Sequence, residues 1–269
     1  MKSFLPPHPE RFTSVIALHD LSAEADRVLP VVGSLARRGH LDVRLVTTGS
    51  PDLATIDRSE LSAHARRIHG CTVSTLVLES DDPAEALADF TGRHPAGLVC
   101  LASHGRTAVG ELVFGSMTDE LVSRGKSPVL VVGPRADVDP MSDELLVCVD
   151  PFALSGALLD YASAWRSTFG GTVTLFEAVQ PVVGEASGTR EMSQAAHEVR
   201  DARVAIATSR DPTAAILEAA AATDSVIALT TRNLHGVKRM VLGSVAREVI
   251  RRSPTPVLVV PNDTREVVP

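Results

Sequence analysis

The chain has 269 residues, 44% hydrophobic and 22% charged, which is a folded rather than a disordered composition. A formal net charge of −7 with no Lys/Arg run argues against a nucleic-acid surface, because neutralising phosphates needs clustered cations. No apolar stretch approaches the roughly 18 residues of a membrane span, and the N-terminus MKSFLPPHPERF shows no secretion signal, so the expectation is a soluble, cytoplasmic protein with no membrane partner.

In chain order, short apolar runs alternate with helical patterns. Strands are expected at Ser14–His19, Leu41–Thr47, Val73–Leu78, Gly97–Ala102 and Val129–Val132. Helices are expected between them, at Ala23–Arg38, Asp57–His69, Pro83–His94 and Ser116–Arg124. The second half gives strands at Leu145–Val149, Val173–Val179, Arg203–Ala207, Val226–Thr230 and Val257–Val260. Runs this short and this apolar read as strands buried on both faces, so the fold class is α/β with parallel sheets flanked by helices.

The second half repeats the first. FGSMTDELVSRGKSPVLVVGP from Phe114 returns as LGSVAREVIRRSPTPVLVVP from Leu242. An Asp-Pro pair opens an Ala-rich helix at Asp82–Pro83 and again at Asp211–Pro212, and a strand runs into an aspartate at Asp20 and at Asp150. Three landmarks in one order define a duplicated domain: lobe 1 at 1–138, a linker at 139–143 and lobe 2 at 144–269.

In an open parallel sheet, ligands lie beyond the carboxyl ends of the strands where the winding reverses. In lobe 1 that selects Asp20 after the first strand and the segment SHGRTAVGELVFGS, Ser103–Ser116, after the fourth. Gly105 and Gly115 allow close backbone approach, and Ser116 with Asp119 has the spacing of a helix start, whose free amides suit phosphate oxygens. Read locally, the same glycines equally make plain turns, and Asp20, alone or with Ser22, equally caps the helix that follows.

Taken together, Asp20 followed by LSAEADRVL, the SHGRT segment, and Gly-Ser followed twelve residues later by PVLVV resemble the universal stress proteins. That resemblance covers nearly the whole chain, twice. It implies two open five-stranded sheets of Rossmann-like fold, packed as a pseudo-dimer through pairing of the two PVLVV edge strands. ATP-binding members carry G-x2-G-x9-G-[S/T]; here the pattern reads Ala102-x2-Gly105-x9-Gly115-Ser116, with alanine for the first glycine. The resemblance implies that Leu18, His19 and Asp20 face ribose and adenine, and that Gly105, Gly115 and Ser116 hold the phosphates. Met117 and Thr118 lie beside them, with Arg106 either reaching the phosphates or facing solvent. The implied cofactor is ATP, with or without Mg²⁺. Lobe 2 reads Thr230-x2-Asn233-x9-Gly243-Ser244, so both early glycines are lost and Asp150, Asn233, Gly243 and Ser244 form at most a vestigial second site.

Other chemistries lack support. No G-x-G-x-x-G follows a first strand, there is no GK[ST] loop, and lysine occurs only at Lys2, Lys126 and Lys238. No serine sits in a G-x-S-x-G elbow. His64 and His69 do not share a helical face, so no metal and no catalytic residue is expected. Cys100 and Cys148 lie in apolar runs and read as core; Tyr161 and Trp165, one helical turn apart, read as packing residues. The leading expectation is a non-enzymatic stress-response regulator whose lobe 1 binds an adenine nucleotide and whose surface a regulatory protein partner reads, with slow ATP hydrolysis as a possible side activity. The alternative is a scaffold of the same fold that binds no nucleotide and acts by homo-dimerisation or protein contact.

Overall fold

The computed structural model describes residues 8–49, 54–103, 121–122, 127–137, 141–150, 155–179, 189–233 and 240–261. Lobe 1 runs β1 (Ser14–Leu18), a 3-10 turn (Ala25–Arg27), α1 (Val28–Gly39), β2 (Asp42–Gly49), α2 (Ala54–Ala65), β3 (Val73–Glu79), α3 (Pro83–Gly92), β4 (Gly97–Ala102) and β5 (Val129–Val132). Lobe 2 runs β6 (Leu145–Cys148), α4 (Gly156–Phe169), β7 (Val173–Val179), α5 (Thr189–Glu198), β8 (Arg203–Thr208), α6 (Pro212–Thr223), β9 (Val226–Thr230), β10 (Arg232–Asn233), β11 (Met240–Val241), α7 (Ser244–Arg252) and β12 (Val257–Val260).

The strand order is β3-β2-β1-β4-β5-β12-β9-β6-β7-β8, one ten-stranded sheet. Each half has the same order and is parallel within itself. The halves meet where β12 runs antiparallel to β5, with Leu258 opposite Leu130. The PVLVV strands are therefore joined to one another, and no apolar edge is left open at the middle of the sheet. β5 and β12 are buried along their whole length, as VLVV runs facing helices on both sides must be.

Alternate strand residues feed two apolar layers. One layer collects Val15, Ala17, Leu98, Cys100, Leu130 and Val132 under α1, together with Tyr161 and Trp165 of α4. The other collects Ile16, Val99, Val131, Val257 and Val259 under α3, α6 and α7. Both layers run unbroken through the two lobes. Cys100 and Trp165 are fully buried, as their apolar settings predict, and burial raises the Cys100 thiol far above its ordinary range. Phe12 crosses between lobes: its ring stacks on Tyr161 and Phe169, and its amide donates to Thr168 Oγ1 at 2.8 Å. Trp165 Nε1 donates to the Asp143 carbonyl at 2.9 Å, tying α4 to the residues that enter β6.

The duplication reaches individual hydrogen bonds. Asp82 caps α3 by accepting from the Glu85 amide at 3.0 Å; Asp211 caps α6 by accepting from the Ala214 amide at 3.1 Å. Each follows a serine whose Oγ takes the aspartate amide, and each precedes a proline in the first turn, where no amide is needed. No helix among the described residues is long and apolar enough to cross a membrane.

Candidate functional site

Within each half of the sheet the helices change faces between the first and fourth strands, β1/β4 and β6/β9. The crevice beyond the carboxyl ends of those strands is the expected ligand position. In lobe 1 the described residues at its walls are those after Leu18 on one side and Ala102–Ser103 on the other.

Asp20 is exposed at the mouth of this crevice. Its carboxylate accepts from the Ser22 amide at 3.0 Å and the Ser22 hydroxyl at 2.6 Å, and Ser22 Oγ accepts from the Ala25 amide at 3.1 Å. Asp20 therefore organises the turn through Ser22 and does not itself cap α1, whose N-cap position is held by Arg27 with no side-chain cap bond. Leu21, inside this turn, has φ 65°, a left-handed conformation that costs a side-chain-bearing residue roughly 1–2 kcal/mol. What holds it is His19: the Leu21 amide donates to His19 Nδ1 at 3.0 Å.

Because Nδ1 is the acceptor, the neutral imidazole carries its proton on Nε2, which donates to Asp26 Oδ1 at 3.2 Å. Asp26 Oδ1 also accepts from His64 Nδ1 at 2.6 Å, and Asp26 Oδ2 pairs with Arg67 at 2.5 Å. Burial, then the neighbouring His64 ring, hold the His19 pKa below its ordinary 6.5 against the pull of Asp26 and Asp20. For Asp26, burial alone would raise the pKa, but hydrogen bonds from Arg67 and His64 outweigh it and leave the carboxyl below its usual range.

His19, Asp26 and His64 bring ligand-type atoms within 4.8 Å of one another, a spacing a cation can use. A cation on His19 Nε2 would displace the ring proton to Nδ1, directly against the Leu21 amide hydrogen. The three groups are thus better matched to protons than to a metal. Along the chain His64 is spaced against His69, but the ring it meets in the fold is His19, 45 residues earlier, with Asp26 between them and Arg67 on the other carboxylate oxygen. No spacing rule links these positions, since α1, β2 and α2 intervene.

Leu18 and His19 do not present free side chains to the crevice. Leu18 is buried in the layer under α3, and His19 is occupied by Leu21 and Asp26. At the other wall, the Ala102 methyl belongs to the buried layer shared with Leu130 and Val132, and Ser103 is buried with its amide donating to the Val132 carbonyl at 3.0 Å. Gly105, Arg106, Gly115, Ser116, Met117 and Thr118 lie outside the described residues. Further along, Leu121 and Val122 are helical and buried under the second layer.

Lobe 2 offers a different crevice. Val149 takes the register of His19: its amide donates to the Phe176 carbonyl as that of His19 donates to Val46. Asp150 is exposed beside it. Asn233 is extended in an antiparallel pair with Met240. Gly243 and Ser244 open α7 with no side-chain cap, and Arg247 folds back to donate from Nε to the Leu242 carbonyl at 3.2 Å.

Two parallel α/β lobes sharing one sheet, each with a crevice at its winding reversal, define a tandem Rossmann-like protein. A sequence model of the universal stress protein family matches residues 12–133 and again residues 141–261, and the chain belongs to that family. A universal stress protein from Archaeoglobus fulgidus is similar in structure at 21% identity and a TM-score of 0.73, covering 97% of this chain and 100% of that one. A protein of unknown function from Pseudomonas aeruginosa is similar at 16% identity and a TM-score of 0.68, covering 94% of each chain. At these identities the likeness shows the fold. No curated protein sequence matches the chain.

Proposed function

We propose that lobe 1 binds an adenine nucleotide, ATP with or without Mg²⁺, and that occupancy regulates contact with a protein partner rather than feeding a reaction. The observation that carries this reading is the exposed Asp20 carboxylate, held on a hydrogen-bonded turn at the winding reversal of the sheet. A carboxylate there is placed to accept from ribose hydroxyls, and in the sequence the Gly105, Gly115–Ser116 segment comes after β4, the strand beside β1 at the winding reversal. Lobe 2 keeps Asp150 but lacks the two early glycines, and its Asn233 is committed to a ribbon, so it acts as a structural partner.

The test is native mass spectrometry of the purified chain, with calorimetric titration of Mg-ATP. One nucleotide per chain, weakened by Asp20→Ala and by Gly115→Ala and unchanged by Asp150→Ala, is expected. Two per chain would restore lobe 2 as a site. No binding at millimolar Mg-ATP would overturn the reading in favour of a scaffold that works by dimerisation or protein contact.

A further inference from the structure

We propose that His19 is a positioning residue for the lobe 1 crevice: its neutral imidazole, protonated on Nε2, holds the Asp20–Leu21 turn, and protonation of Nδ1 releases it, so that the crevice responds to pH. The consequence for ligand affinity rests on the nucleotide reading above; the effect on the turn does not.

The geometry gives the ring two fixed roles. Nδ1 accepts from the Leu21 amide and Nε2 donates to Asp26. A second proton has no position except Nδ1, where it meets an N–H instead of a lone pair. The turn then loses the acceptor that holds Leu21 at φ 65°, and a residue with a side chain has little reason to stay there. Asp20 is the neighbour of both residues, so its carboxylate moves with them.

The charged and titratable groups around the ring come from every element that meets it. Asp20 lies on its own turn, Asp26 on the 3-10 turn, and His64 and Arg67 on α2 and the residues after it; β2 contributes the Val46 carbonyl, which accepts from the His19 amide. The two imidazole centroids are 4.4 Å apart, so positive charge on both rings at once is disfavoured. Asp26 opposes this but is shared among three donors, His19, His64 and Arg67. The depressed pKa of His19 agrees with this geometry and puts its titration below pH 6.5.

The repeat supplies an internal control. The left-handed residue that ends α1 is His40 and its counterpart ending α4 is Gly170, and Val149 takes the register of His19, so the two segments correspond without insertion. The same correspondence sets Gly156 at the place of Asp26. Lobe 2 thus has neither the acceptor nor the carboxylate. The device belongs only to the lobe that also keeps the early glycine, Gly105, where lobe 2 has Asn233.

The experiment is amide and imidazole ¹⁵N NMR of the full chain from pH 7.5 to 4.5, on the wild type and on His19→Asn, whose Oδ1 can accept from the Leu21 amide but does not titrate. In the wild type, the Leu21 amide is expected to shift with the midpoint of the His19 ring; in His19→Asn it is expected to stay flat. In parallel, Mg-ATP affinity should fall below that midpoint by up to about tenfold per pH unit in the wild type relative to His19→Asn, the ratio cancelling the titration of ATP itself. A Leu21 amide that ignores His19, an imidazole still neutral at pH 4.5, or equal pH profiles for the two proteins would each overturn the inference. If Mg-ATP fails to bind at pH 7.5, the nucleotide reading falls and the amide titration alone decides the turn.

Discussion

Lobe 1 and lobe 2 have the same strand order, the same Asp-Pro caps and the same buried VLVV strand, yet their crevices are built from different chemistry. In lobe 1 the residue after β1 is a buried histidine bonded to Asp26, which also takes His64 and Arg67. In lobe 2 it is Val149, and the segment after β9 closes into a two-stranded ribbon. Duplicated sequence has preserved what packs and changed what could bind. The reason is that a sheet face shared by two lobes constrains both copies alike, whereas a crevice needs only one copy to keep its polar groups. Arg27 makes the same point: its guanidinium donates to the carbonyls of Gly133, Pro134 and Ala136, bracing lobe 1 at the junction, while Ala157 stands at the corresponding place in lobe 2.

The shared core is where this contrast is broken most severely. Trp165→Ala empties a fully buried site of lobe 2 that packs against Phe169, and is expected to cost about 4 kcal/mol in denaturant unfolding. If the lobes are one cooperative unit, a single transition monitored by circular dichroism moves as a whole; two separated transitions would show that the continuous layers do not couple them. Next comes Gly133→Ala. An added Cβ would lie 2.2 Å from the Ile250 carbonyl oxygen, so backbone must shift where α7 of lobe 2 meets the end of β5. A loss of about 3 kcal/mol is expected, and a loss under about 0.5 kcal/mol would mean that the junction yields easily.

The helix caps sharpen the comparison from the other side. Asp82→Ala and Asp211→Ala should each cost about 1 kcal/mol, and the two losses should agree, because the bonds they remove are the same in both lobes. Unequal losses would show that the lobes differ in stability as well as in site chemistry. The smallest effect is one of slope. A histidine whose folded pKa lies below its unfolded value binds its proton more readily when unfolded. Stability from His19 is therefore complete above about pH 6.5 and is lost as pH falls from there towards the folded pKa. Comparing wild type with His19→Asn by urea unfolding between pH 7.5 and 5 should show that extra loss in the wild type alone.

The architecture was legible because burial on both faces leaves a plain signal. Val173–Val179, Val226–Thr230 and Val257–Val260 occur as strands over the very residues their apolar runs define, and so do Gly97–Ala102 and Val129–Val132. Helix starts were less legible. The first helical segment was expected from Ala23, but α1 begins at Val28, with a 3-10 turn before it. Pro30 accounts for this: it lacks an amide and its ring crowds the carbonyl four residues earlier, so it is tolerated only in the first turn. The second was expected over Asp57–His69 and runs Ala54–Ala65, its end given over to Arg67, which turns to Asp26, and Ile68, which is buried.

By itself the sequence determined the duplication, the α/β class, the caps and the family, because each of these is written in residues close together in the chain or repeated along it. The tertiary structure decided which lobe carries a polar network and what His19 does there. Its partners come from three separate segments, and hydrogen-bond direction, which assigns its proton to Nε2, exists only once those segments are packed.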